Sequence, residues 1–206
     1  MRITALKKTK QGRYAIFADG EFLFSVDAQT LLSSRLTVGS QTELCELEAL
    51  RMEAEERYWK ERALSLLGYK SYTKKALIQR LAREGGEDAA DGVADRMEEL
   101  GLIDDDAYAR RCAADLYSIK GYGRRRVEQE LAHRGIDREL AAELAEELEP
   151  ENENVLDTLI ERKYARYLGD RKGVDKTVRS LARLGYGFDD IRAALSRFAE
   201  VELDGE

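Results

Sequence analysis

The chain repeats itself at an offset of 50 residues, and this limits its fold more than any other feature. Leu81, Leu131 and Leu181 correspond. So do Ala82, Ala132 and Ala182, then Arg83, His133 and Arg183, then Gly85, Gly135 and Gly185. Upstream, Tyr72 matches Tyr122, Gly123 matches Gly173, and Leu67 matches Tyr117 and Tyr167. A leucine followed four residues later by glycine reads as a helix end with its C-terminal cap, because glycine enters the left-handed conformation without a Cβ penalty. Self-similarity at such a period marks a stack of like supersecondary units. A single proline and abundant Ala, Leu, Glu and Arg favour helix throughout.

Each unit reads as three helices. The first spans roughly 50–67, 105–119 and 151–168 in the three units, the second 73–84, 123–134 and 174–184, and the third 88–100, 137–148 and 189–199. Leu77 with Leu81, and Val127 with Leu131, stand four residues apart and face a common core. A three-helix unit of this size is marginal alone, so neighbours are expected to stack into an elongated, curved array. Residues 1–39 differ. "RYAIFADGEFLFSVD" alternates, and Asp19-Gly20 between its halves is a two-residue hairpin signal. With "ITALKK" ahead, this predicts a small three-stranded antiparallel sheet. From Ser40 the period becomes helical. Ser40 and Glu43 have capping-box spacing, and Leu47, Leu50, Ala54 and Tyr58 form a stripe that runs to Leu67 and stops at Gly68. Trp59 is assigned to the core of the first unit. The expected class is mainly α: an N-terminal β-hairpin region over 1–39 and helical repeats over 40–101, 102–149 and 150–206.

The net charge of −7 excludes a polycation that coats nucleic acid by bulk charge. Charge is nevertheless uneven. Among charged residues, Tyr108–Arg134 and Arg162–Arg183 are mainly basic, and Asp137–Glu153 is acidic apart from Arg138. Within "KGYGRRRVEQELAHRGI", Arg124, Arg125 and Arg126 follow Gly123 at a helix start, where cations are disfavoured by about 0.3–1 kcal/mol each. The first N–H groups of a helix attract anions, and arginine grips phosphate or carboxylate bidentately. The first unit places Lys74 and Lys75 at the same turn, and the third keeps Lys176 with Arg179 and Arg183 beyond it. These residues, with Arg83 and Lys120, are the expected contacts of an anionic partner. Arg124 and Arg125 are expected to point outward and Arg126 toward the neighbouring unit. The competing reading pairs the arginines with Glu139, Glu143, Glu146 and Glu147 of their own third helix, where surface pairs contribute about 0–1 kcal/mol. Tyr72 and Tyr122 stand beside the basic turns and could stack on bases. Tyr108, Tyr117 and Tyr167 are assigned to the core.

Asp104, Asp105 and Asp106 are read as helix-capping acids. His133 is the only histidine, which excludes a histidine-based triad or His-rich metal site. No phosphate-binding loop, dinucleotide fingerprint or nucleophile elbow appears, so no catalytic, cofactor or metal site is expected. Cys45 and Cys112 are read as reduced thiols. No apolar run reaches spanning length, and a monomer in the cytoplasm is expected.

"ELGLIDDDAYARRCAADLYSIKGYGRRRVEQELAHRGI", Glu99 to Ile136, resembles the central signature of the RecX family, regulators of the RecA recombinase. "GYKSYTKKALIQRLAREG" resembles that family's first repeat. The resemblance covers roughly Leu50 to Phe198. The third repeat departs from the pattern: Val174-Asp175 stands where the earlier units carry Lys74-Lys75 and Arg124-Arg125. The resemblance implies a non-enzymatic modulator whose partner is RecA. It would bind the RecA–single-stranded DNA filament along its groove and damp the ATPase, strand-exchange and coprotease activities. Direct DNA contact would be weak and additional. The alternative class is a stand-alone helix-turn-helix-like DNA-binding regulator.

Overall fold

The computed structural model describes residues 1–150 and 154–203. The chain forms two compact units, Met1–Ile103 and a second from Asp104 onward. Among the described residues it is mainly helical, with ten α-helices and one small antiparallel sheet.

The first unit opens with β1 (Ile3–Lys8), β2 (Tyr14–Ala18) and β3 (Glu21–Val26), in the order β1-β2-β3. Asp19 and Gly20 join β2 to β3 with φ of 49° and 90°, the paired positive values a tight hairpin needs. Helix α1 (Ala28–Ser34) was not expected from sequence. It is too short to display a helical period, and the Asp27 carboxylate makes it by accepting the Gln29 and Thr30 N–H groups, each at 2.9 Å.

Helix α2 (Leu44–Tyr69) begins between the cap expected at Ser40 and the start near residue 50 expected from the triplet, and it continues through Gly68. Ser40 does not cap it; its hydroxyl donates to Thr37 O at 2.8 Å. Glu43 is the N-cap residue. The Glu46 carboxylate accepts from the Thr42 hydroxyl at 2.6 Å and from Glu43 N–H at 3.1 Å, and both contacts lower its pKa. The helix serves two cores. Leu47, Leu50 and Ala54 pack under the sheet with Ile3, Ile16 and Val26. Trp59, Ala63 and Leu66 pack with Leu77 and Leu81 of α3 (Lys74–Arg83) and Val93 and Met97 of α4 (Glu87–Glu99). The buried face turns as the partner changes from sheet to helices. Tyr58, placed in the stripe by sequence, is therefore 41% exposed, and Trp59 takes the inward position.

In the second unit, α5 (Asp105–Ser118), α6 (Arg124–His133) and α7 (Arg138–Glu147) enclose Ala109, Leu116, Val127, Leu131 and Leu144. Helices α8 (Asn154–Lys163), α9 (Arg171–Arg183) and α10 (Phe188–Leu203) enclose Leu156, Ile160, Leu181, Ile191 and Ala194.

The repeated helix ends share one geometry. Gly85, Gly135 and Gly185 have φ of 98°, 95° and 98°. Their N–H groups donate to Ala82, Ala132 and Ala182 O at 3.0, 3.1 and 3.1 Å. The next N–H in each case donates to Leu81, Leu131 or Leu181 O at 3.0, 3.2 and 3.3 Å. This is a Schellman cap made three times. The residue after the glycine then packs on the core: Ile136 in the second triplet and Tyr186 in the third. In the first it is Gly86, because the Trp59 indole fills that space; a Cβ on Gly86 would lie 2.6 Å from the ring. Gly86→Ala is expected to cost about 1–3 kcal/mol by overpacking, read as a lower denaturant midpoint.

The third triplet departs from the expected repeat. Its first helix was expected as one piece over 151–168, of which 151–153 lie outside the described residues. Helix α8 stops at Lys163, and a 3-10 turn (Ala165–Tyr167) follows. Helix α9 starts at Arg171 rather than near 174, capped by the Asp170 carboxylate, which accepts Gly173 N–H. Gly173 therefore lies inside the first turn. The Tyr167 carbonyl packs so closely that a Cβ there would sit 1.8 Å from it. The break in α8 also turns Tyr167 outward; it is 39% exposed, not core. Thr177 occupies the position of Leu77 and Val127. It is 1% exposed, and its hydroxyl has no hydrogen-bond partner among the described residues. Thr177→Val keeps the shape and removes the unpaired group, so it is expected to raise stability by about 1 kcal/mol in a denaturant titration.

Candidate functional site

The expected contacts sit on the second helices, so the site is built from their N-termini. At the start of α3, the Thr73 hydroxyl accepts Ala76 N–H at 3.2 Å. Lys74 reaches across to α4 and pairs with Asp95 and Glu98, both at 2.7 Å. Those two carboxylates raise its pKa. Lys75, one residue and about 100° further round the helix, is exposed and has no side-chain partner among the described residues. Tyr72 is partly buried against the first core, with the Lys70 ammonium 4.5 Å from its ring centroid.

The start of α6 follows the same plan with one difference. Gly123 N–H donates to Leu184 O at 2.8 Å, and Arg125 N–H lies 3.3 Å from Gly185 O. A Cβ on Gly123 would fall 2.6 Å from the Gly185 carbonyl carbon. Lacking a Cβ, Gly123 admits another backbone at close range, whereas the sequence reading takes the first-turn donors as an anion trap. The approach is real, but the approaching backbone is the chain's own, and its carbonyls occupy donors that were expected to be free.

The three arginines then divide. Arg124, expected to point outward, turns back to α7 and pairs with Glu146 at 2.8 Å and Glu149 at 4.0 Å. Its acidic neighbour helix outcompetes solvent. Arg126 pairs with Glu130 at 2.6 Å on its own helix, with its guanidinium 5.7 Å from the Tyr122 centroid. It also lies toward the third triplet: a Cβ on Gly185 would be 2.5 Å from Arg126 Cβ. Arg125 is exposed and has no side-chain partner among the described residues. Tyr122 is partly buried against the second core, and Lys120 is exposed in the loop before it.

Arg83 is exposed at the far end of α3 from Lys74 and Lys75, so the fold does not bring it to their turn. In the third triplet, Lys176, Arg179 and Arg183 lie beyond the first turn of α9, at spacings of three and four that put them on one face. All three are exposed and without ion pairs among the described residues. The helix-start arrangement of the first two triplets is thus replaced by a stripe. Arg162, Lys163 and Arg166 stand near that stripe across a shallow concavity shared with Lys176. Sequence reasoning passed over them individually, although the basic run Arg162–Arg183 contained the signal.

The other singled-out residues have structural places. The Asp104 carboxylate caps α5 by accepting Ala107 N–H at 2.8 Å, and Asp106 pairs with Arg110 at 2.7 Å. Tyr117 is buried and donates to Ala145 O; burial raises its pKa. Cys45 is an exposed and Cys112 a buried free thiol. Among the described residues, no group of His, Cys, Asp or Glu side chains could hold a metal ion, and no helix is long and apolar enough to cross a membrane.

Two family models match. Residues 1–43 match the regulatory protein RecX N-terminal domain, and residues 104–144, the second triplet, match the RecX second three-helix domain. A regulatory protein RecX of Caldanaerobacter subterraneus subsp. tengcongensis is 27% identical over 197 residues, which cover 93% of this chain and 96% of that relative. A regulatory protein RecX of Staphylococcus carnosus is 26% identical over 211 residues, covering 100% of this chain and 77% of the relative. One from Lacticaseibacillus paracasei is 31% identical over 150 residues, which span 58% of its length. Among solved structures, a crystal structure of regulatory protein RecX superposes with a TM-score of 0.67 over 93% of this chain and 97% of that one; at 20% identity it supports the fold. RecX from Lactobacillus salivarius superposes with a TM-score of 0.60 at 25% identity, over 69% of this chain and 96% of that one. A match at the N-terminal sheet, a second at the central triplet and relatives aligned along nearly the whole length agree. The chain belongs to the RecX family of regulatory proteins.

Proposed function

We propose that this protein modulates RecA by binding the RecA–single-stranded DNA filament in its groove, damping ATP hydrolysis, strand exchange and coprotease activity as a binding protein rather than a catalyst. The observation that carries the reading is a repeated pair of cations at the second-helix starts. Lys74 and Arg124 are neutralised by the third helix of their own triplet, while Lys75 and Arg125, one residue on, face solvent unpaired among the described residues. Both free cations stand where the helix dipole disfavours them, so folding alone does not account for their charge. Arg83, Lys120, Arg179, Arg183 and Lys176 add exposed positive charge with no ion pair to break among the described residues. Weak contacts on linked triplets combine into avidity.

The test is RecA's single-strand-dependent ATP hydrolysis with this protein added. A dose-dependent fall at low salt, fading as salt rises, is expected. Unchanged hydrolysis together with tight, sequence-dependent binding to duplex DNA in the absence of RecA would replace this reading with the stand-alone regulator.

A further inference from the structure

The third triplet holds a concavity of about 670 Å³ between the broken end of α8 and the side of α9. Its wall carries Arg162, Lys163, Arg166 and Lys176, with Glu161 as the one acidic side chain. None of these four cations has an ion pair among the described residues, whereas Lys74, Arg62, Arg110 and Arg124 are each held by a carboxylate within 2.9 Å. The Tyr167 ring gathers two of them: the Arg166 guanidinium lies 4.7 Å and the Lys176 ammonium 5.6 Å from its centroid. Thr177 also lines the concavity, and its buried hydroxyl has no partner among the described residues. Packing does not call for that hydroxyl, since Leu77 and Val127 fill the same place in the other triplets. Four like charges around one hollow repel one another, and an unpaired buried hydroxyl is unfavourable. A multiply charged acceptor relieves both at once.

The geometry points to a binding site for a terminal polyphosphate group, of the kind a nucleoside triphosphate carries. A phosphodiester inside a polymer is substituted on two sides and lies along a surface. A terminal phosphoryl group presents three free oxygens and can enter a concavity, meeting guanidinium and ammonium groups at the wall and a hydroxyl donor at the floor. The volume suits a small ligand. This site lies away from the start of α6 and does not rest on the RecA reading.

The experiment is calorimetric titration of the full-length protein, without RecA, with ATP and separately with inorganic tripolyphosphate. Saturable one-to-one binding of both is expected, and tighter binding of ATP would add a contact from the base. Arg166→Ala and Lys176→Ala should each weaken binding by about tenfold. Thr177→Val should weaken it by about fivefold while raising the unfolding midpoint of the ligand-free protein, which separates lost binding from lost folding. Absence of saturable binding, or affinities unchanged in all three variants, overturns the site. So does displacement of tripolyphosphate by an equimolar single-stranded oligonucleotide lacking terminal phosphates, which would assign the concavity to a polymer. Because RecA is absent, failure here leaves the filament reading to its own assay.

Discussion

Gly185→Ala is expected to destabilise the second unit by about 2–4 kcal/mol, several times the cost of the matching change at Gly85. Both glycines close a helix in the left-handed conformation at φ of 98°, so both variants lose the conformational freedom that only glycine has, worth about 1 kcal/mol. They differ in what surrounds them. A Cβ on Gly85 meets nothing within 4 Å, whereas one on Gly185 would lie 2.4 Å from Arg126 N and 2.5 Å from Arg126 Cβ. Those are backbone and near-backbone atoms at the start of a helix and cannot swing aside. The second and third triplets would have to part locally, and Gly123 N–H and Arg125 N–H would lose Leu184 O and Gly185 O. Hydrogen exchange at those two amides reads the effect directly. Both should exchange faster in Gly185→Ala and keep their wild-type rates in Gly85→Ala. Equal losses of stability in the two variants would show that the close approach contributes little.

Reversing Lys75 and Arg125 together to glutamate is expected to separate stability from function in opposite directions. Neither side chain has an internal partner among the described residues, and an acidic group in the first turn of a helix is favoured by about 0.3–1 kcal/mol. The double variant should therefore unfold at the same or a slightly higher denaturant concentration. Its affinity for preassembled RecA–DNA filaments should fall by about tenfold per residue, with a matching loss of ATPase inhibition. If phosphates are touched, the salt dependence of binding should flatten by about one unit per lost contact. Arg124→Gln is the contrasting variant. It removes a cation already committed to Glu146, so it should change filament affinity much less. Full inhibition by the double reversal would remove both helix starts from the interface.

Much of this architecture was readable because the repeat carries its own punctuation. Leucine followed four residues later by glycine located three Schellman caps, and the periods of two and 3.6 separated sheet from helix. Asp19-Gly20 predicted the hairpin turn from backbone sterics alone. The misplacements came where a local signal had rivals. Ser40 had capping-box spacing, but Glu43 and Glu46 made the cap. Gly173 looked like Gly123, yet it lies within a helix because Asp170 starts α9 earlier. Tyr58 followed the stripe of the sheet-facing half of α2, while the half facing α3 and α4 buries Trp59 instead. In each case the deciding partner is distant in sequence or is chosen among near-equal local options.

The sequence by itself determined the mainly helical class, the three-fold period, the N-terminal sheet and the concentration of positive charge at the second-helix starts and along Arg162–Arg183. Those properties follow from backbone sterics, hydrophobic period and composition, which act over a few neighbouring residues. Tertiary structure alone decided which cations remain available. Lys74 and Arg124 are neutralised because α4 and α7 pack beside them, Gly123 N–H and Arg125 N–H are satisfied because Leu184 O and Gly185 O dock there, and Lys75 and Arg125 stay free because no described carboxylate comes within ion-pair distance of either. A charge is written in the chain, but whether it meets a carboxylate or the solvent depends on which helix lies within hydrogen-bond reach.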